Sequence, residues 1–174
     1  MCTAREKSHN RRVGCLRVSG ALLPADDPWA GYARTVVEIA GPRGTLTVAA
    51  AQAGEVGAWP WGTPDALFLL TAWDPGAERP GLHENRHRQA SLEEDVRRLT
   101  HARWDAVGVD PETGRREEGV VVGRLSEAEA TALGARYGQD AVFRWTPDAW
   151  EIVACTGTRR VVLGWAAPTL LRET

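Results

Sequence analysis

Residues His83 to His87, His-Glu-Asn-Arg-His, have the types and spacing of a zinc peptidase motif. On a helix, two histidines four residues apart share one face and can bind zinc, with the glutamate between them as general base. A zinc hydrolase is therefore one hypothesis. A helical wheel speaks against it: Leu92, Val96 and Leu99 define the apolar stripe. His83 and His87 fall roughly opposite that stripe, so we expect them to face solvent and predict no metal site.

The same helical wheel places two polar residues of this helix on its inward face. Asn85 lies about 20° and Arg88 about 40° from Leu92, so both continue the apolar stripe toward the start of the helix. Buried polar groups need hydrogen-bond partners, or they cost on the order of 1–3 kcal/mol each. These side chains either cap the loop that follows Trp73 or line a polar pocket where the helix begins.

Other polar and aromatic residues complete this hypothetical pocket, namely Trp73, Asp74, Glu118 and Gln139. Glu118 begins a valine-rich strand, where it can pair with Arg88 or lie at an exposed strand end. Asp74 and Gln139 are equally suited to ordinary turn chemistry. If the pocket exists, it predicts a small-molecule binding domain or a minor enzyme, with Arg88 binding an anionic group and Glu118 as the acid or base. No cofactor is implied.

The elements that must position these residues begin with a β-hairpin at residues 35–50. From residue 66 to residue 155 the patterns run strand, helix, strand, strand, helix, strand, with one more strand after them. Ser126 and Glu129 form a capping box at the start of the second helix, and Gly138 ends it. This order predicts an α+β fold with a ferredoxin-like βαββαβ core, in which two helices cover one face of a mainly antiparallel sheet.

Length and patterning divide the chain into an arm and one domain. Residues 1–28 lack periodicity and predict a flexible or loosely packed arm. Residues 29–174 predict a single α+β domain made of the hairpin, the core at 66–155, and a C-terminal strand and tail at 160–174. A chain of 174 residues with 43% hydrophobic content is large enough for one core of this kind.

Composition excludes some classes of function and favours one compartment. A formal net charge of −2 does not favour nucleic-acid binding, which needs a concentrated basic surface. No stretch has the roughly 20 apolar residues of a membrane span, and the start of the chain lacks the apolar segment of a secretory signal. Three widely spaced cysteines indicate reduced thiols and a cytoplasmic protein.

Eight tryptophans leave a second class of function open. Most lie in or beside predicted strands, where core packing is the ordinary role. Trp59 and Trp61 flank a proline in a loop, and they are suited to cover a pocket, to dock the hairpin or to stack on a base. A non-catalytic interaction module or homodimer that uses this loop or the helix-free face of the sheet is therefore the alternative to small-molecule binding.

Several short motifs together resemble a known bacterial family. They are the run Phe68-Leu-Leu-Thr-Ala-Trp-Asp-Pro75, the pair Glu84-Asn85 opening a helix, Glu118 in its valine-rich strand, and Tyr137-Gly-Gln139. In order and spacing this set is similar to domain-of-unknown-function family 3293 over about residues 32–154. The family pattern has asparagine where this chain has Asp74, and it does not include the position of His83. The resemblance implies no substrate, reaction or cofactor.

Overall fold

The computed structural model describes residues 21–41, 44–62, 65–76 and 78–171 of the chain. Within these ranges the chain forms eight strands and three helices. In order along the chain they are α1 (Ala30–Arg34), β1 (Val36–Gly41), β2 (Gly44–Ala51), β3 (Leu67–Leu70), α2 (Leu82–Leu99), β4 (Arg103–Val109), β5 (Arg116–Gly123), α3 (Glu127–Arg136), β6 (Ala141–Trp145), β7 (Trp150–Ala154) and β8 (Arg160–Leu171). Residues 1–20 of the predicted arm lie outside the described residues.

The strands form one closed antiparallel barrel in the order β1-β2-β8-β7-β6-β3-β5-β4, with β4 pairing back to β1. The predicted α+β, ferredoxin-like sheet was therefore wrong, because such a sheet has two open edges. The error came from treating the hairpin and the C-terminal strand as additions to a complete sheet. β1 and β2 do form the expected hairpin, but β1 also pairs with β4. The twelve residues of β8 pair with both β2 and β7 and close the barrel.

The alternation of side chains along each strand creates two separate apolar layers. In β3, Leu67 and Leu69 face the interior of the barrel, while Phe68 and Leu70 face outward. The outward layer packs against the helices, with Leu92 and Val96 of α2 in it. Leu99 was wrongly predicted to belong to this layer, because it is half exposed where α2 ends. An eight-stranded barrel is just wide enough for side chains to fill it.

The second long helix starts as its sequence predicts. The Ser126 hydroxyl accepts a hydrogen bond from the Glu129 N–H, and the Glu129 carboxylate accepts one from the Ser126 N–H. Helix α3 ends at Arg136, and Gly138 follows with a positive φ of 76°. A Cβ at this position would also approach the Pro75 side chain to 2.6 Å, so glycine both ends the helix and lets the β3–α2 loop pack against it.

Aromatic side chains pack at both ends of the barrel interior. Helix α1 covers one end, where the Tyr32 ring lies edge-on to Phe143 with centroids 6.2 Å apart. The loop with Trp59 and Trp61 covers the other end, and both of its rings pack against Trp145. The predicted loop therefore lies over the barrel and packs into its core.

Candidate functional site

The zinc-like motif lies on the solvent side of α2. His83, Glu84 and His87 are all exposed, as the helical wheel predicts. Within the described ranges, no group of three or more His, Cys, Asp and Glu side chains is arranged to hold a metal ion. In the described part of the chain, no additional ligand therefore completes a metal site with these exposed residues.

Asn85, which the wheel turns inward, is almost fully buried and bonds to the loop after β3. Its side-chain oxygen accepts a hydrogen bond from the Asp74 N–H at 3.1 Å. Its amide nitrogen donates to the Asp74 carboxylate at 2.9 Å and to the Pro80 carbonyl at 3.3 Å. Asp74 has a positive φ of 47°, a conformation that asparagine and aspartate tolerate better than most residues. Asn85 thus holds this unusual turn in place.

The other predicted residues bond to the same segment. Arg88 donates to the Ala72 carbonyl at 3.0 Å and to the Tyr137 carbonyl at 2.6 Å. Gln139 donates to the Trp73 carbonyl at 2.7 Å. The structure therefore brings Trp73, Asp74, Asn85, Arg88 and Gln139 together around one loop. Apart from an ion pair between Asp74 and Arg115, the hydrogen bonds of these side chains run to the backbone or to one another, so the set supports the loop.

Sequence reasoning missed one member of this network. Gln89 is 2% exposed, and its side-chain oxygen accepts a hydrogen bond from the Ala72 N–H at 3.0 Å. The available signal was its position one helical turn after Asn85, which places both residues on the same face. With Arg88, Gln89 satisfies both polar groups of the Ala72 backbone.

Glu118 is not paired with Arg88. Its neighbours Val120 and Val122 belong to the outward layer, and Glu118 points to the same side of β5. There its carboxylate forms an exposed ion pair with Arg86, with 3.2 Å between Oε1 and Nε. The Glu118 carboxylate therefore takes no part in the loop network, although its backbone carbonyl accepts a hydrogen bond from the Thr71 hydroxyl at 2.8 Å.

A cavity of about 80 Å³ opens at the α1 end of the barrel, on the inner side of the same loop. Leu69, Phe143 and Ile152 supply apolar walls. The polar side chains at the cavity are Tyr32, Thr35, Thr71, Glu117 and Gln139. Gly108 and Gly119 also line it. Of the predicted site residues, Gln139 lines this cavity.

Glu117 is the acidic residue that lines the cavity, whereas the sequence analysis predicted its neighbour Glu118 for that position. Side chains two residues apart on a strand lie on the same face, so residues 117, 119 and 121 share the inner face of β5. This alternation could have identified Glu117 from the sequence. Burial raises the pKa of the Glu117 carboxyl, while the positive charges of Arg115 and Arg79 act in the opposite direction. The Arg115 Nε lies 3.1 Å from Glu117 Oε1, and Arg115 also forms an ion pair with Asp74.

Tyr32 brings a neutral hydroxyl to the opposite side of the opening. Burial, followed by the negative charges of Asp140 and Glu117, raises the pKa of Tyr32 to about 12. The phenol therefore stays protonated at any physiological pH. Together with Glu117 and Gln139 it offers hydrogen-bond donors and acceptors beside an apolar wall, which is the usual composition of a small-molecule site.

These features define a closed antiparallel barrel with a small, partly polar cavity at one end. Residues 70–142 match the family model described as "Protein of unknown function (DUF3293)", which confirms the resemblance over that segment. The matched segment contains Thr71, Glu117 and Gln139 of the cavity and the whole of α2. No curated protein and no solved structure matches the chain significantly. None of the helices in the described part of the chain is long and apolar enough to cross a membrane.

Proposed function

We propose that this protein binds a small molecule in the cavity between α1 and the ends of β3, β5 and β6. The observation that carries the proposal is geometric: the partly buried Glu117 carboxyl lines the same cavity as the apolar side chains of Leu69 and Phe143. Such a combination orients a ligand through its polar group while its apolar part is removed from water.

The size and charges of the cavity suggest the kind of ligand. Its 80 Å³ is smaller than the roughly 150 Å³ of an engineered cavity that binds benzene. The ligand therefore places only part of its structure inside. Negative charge on Glu117 and Asp140 disfavours an anion, and the nearby Arg115 and Arg79 disfavour a cation. A neutral molecule with one polar group fits best, and Glu117 replaces Glu118 as the candidate acid or base.

Two earlier alternatives have less support. An anionic ligand was predicted from Arg88, but the Nε and Nη2 groups of Arg88 donate to backbone carbonyls. A homodimer needs a contiguous apolar surface. The exposed large apolar residues of the described chain are Val56, Leu82, Leu99 and Val162, and Leu82 and Leu99 lie at opposite ends of α2.

Ligand-observed NMR with a library of small neutral compounds tests the proposal. Gly108→Ala is the informative variant, because its new methyl group enters the cavity at an ordinary 3.5 Å from the Thr35 methyl carbon. We expect hits on the wild type to bind about tenfold more weakly to Gly108→Ala, as overpacking of a cavity predicts. Gly31→Ala is the matched control, since a methyl group there meets no atom within 4 Å. Equal binding to all three proteins would contradict the proposed site.

A further inference from the structure

We propose that the ligand site continues into the barrel, where a group that accepts hydrogen bonds but donates none meets the indole N–H groups of Trp145 and Trp150. The ligand end that reaches them is a carbonyl or a chemically similar acceptor. This inference rests on the proposed function, because the ligand enters through the cavity beside Tyr32 and Glu117.

The first observation is a pair of buried donors without acceptors. Trp145 and Trp150 are 2% and 1% exposed, stand opposite each other on β6 and β7, and have ring centroids 6.1 Å apart. Among the described residues, neither indole Nε1 has a hydrogen-bond partner. Trp165, in the same core, donates to the Pro147 carbonyl at 3.2 Å. Buried indole N–H groups usually find a partner, so the two unpaired donors call for an acceptor from outside the described residues, and a bound ligand can supply it.

The second observation is a void beside these two rings. Trp145 and Trp150 line a space of about 10 Å³, and its other lining residues all have apolar side chains, namely Ile39, Leu67, Phe68, Leu69, Val121 and Phe143. A void of this size is at the lower limit for one water molecule. Water would accept from an indole, but these apolar side chains offer no acceptor for its own hydrogens. A carbonyl oxygen has lone pairs and no hydrogen, so it matches the void better than water does.

The void is adjacent to the entrance cavity. Leu69 and Phe143 line both spaces and form the partition between them. The Phe143 ring also contacts Trp150, with centroids 5.0 Å apart, and the Tyr32 ring at the opening. On this proposal, the half-buried Phe143 side chain rotates when the ligand binds and joins the two spaces into one apolar passage. A short unbranched chain with a carbonyl group near one end fits such a passage.

Two probe molecules of the same shape test this assignment on the unmodified protein. 2-Pentanone carries the carbonyl oxygen, and 2-methyl-1-pentene has a methylene group in its place. Each is titrated into isotope-labelled protein while the eight indole N–H signals and the backbone amides are followed by NMR. We expect 2-pentanone to move the Trp145 and Trp150 indole signals downfield, and to bind about fivefold more tightly than the alkene. The Trp165 indole signal stays in place because that N–H is already bonded.

The outcomes separate the two proposals. If 2-pentanone moves the amide signals of Thr71, Gly108 and Gln139 but not the two indole signals, the entrance site stands and the internal acceptor site is overturned. Equal effects of ketone and alkene on the two indole signals also overturn it, because an acceptor is then not required. If no signal in either region moves at millimolar ketone, the internal site is overturned, while the library screen with Gly108→Ala still decides the entrance site.

Discussion

The two apolar layers of this protein are built in opposite ways. In the layer beneath the helices, the buried polar residues Asn85 and Gln89 have hydrogen-bond partners. The interior of the barrel is rich in aromatic rings, yet it contains two spaces and indole N–H groups without partners. The inward-facing polar residues of α2 therefore have a structural role, because their hydrogen bonds hold the loop after β3. The cavity in which we propose that a ligand binds lies where β4 and β5 carry Gly108 and Gly119.

The largest expected effect tests whether the polar network is structural. Asn85→Ala removes three hydrogen bonds and leaves the Asp74 N–H and the Pro80 carbonyl without this partner. We expect the free energy of unfolding to fall by about 3 kcal/mol, measured by urea denaturation. His87→Ala, on the exposed face of the same helix, is the control and should change it by less than about 0.5 kcal/mol. A loss of ligand binding with unchanged stability would instead make Asn85 a binding residue.

A smaller effect on stability is expected from substitutions that compare the packing of the two layers. A Cβ at Gly134, on α3, would come within 2.5 Å of the Cys155 sulfur and 2.8 Å of a Val142 methyl carbon. Gly134→Ala should therefore lower the free energy of unfolding by about 2 kcal/mol, despite alanine's higher helix propensity. Gly108→Ala, in the cavity of the barrel interior, should change it by less than about 0.5 kcal/mol. Thermal denaturation of both variants measures the contrast, which disappears if the two layers are packed alike.

The smallest effect concerns the charge on Glu117. Because the folded state raises the pKa of this carboxyl, the folded protein binds its proton more tightly than the unfolded chain does. Stability attributable to Glu117 therefore falls as pH rises from the ordinary carboxyl pKa through the raised one. Glu117→Gln removes this dependence, so its melting temperature relative to the wild type should be higher at neutral pH than at about pH 4. Glu118→Gln is the control, and an equal response of both variants would contradict the burial of Glu117.

Local features of this fold could be predicted because they depend on nearby residues. The Ser126 capping box, the exposure of His83 and His87, and the burial of Asn85 all follow from spacing along one helix. Barrel closure could not be predicted, because the pairing of β8 with β2 joins distant parts of the chain and leaves no local pattern. The cavity was missed for a similar reason, since Tyr32 comes to it from α1 and Glu117 from β5.

The position of β8 has a consequence for how the chain reaches this structure. It is the last strand along the described chain, yet it lies between β2 and β7 and pairs with both. During synthesis, those two strands remain with unpaired edges until residues 160–171 leave the ribosome. Exposed strand edges promote aggregation, and pairing between distant segments folds slowly. We therefore expect a nascent chain of this protein to be prone to aggregation with neighbouring chains on the polysome until β8 pairs with β2 and β7.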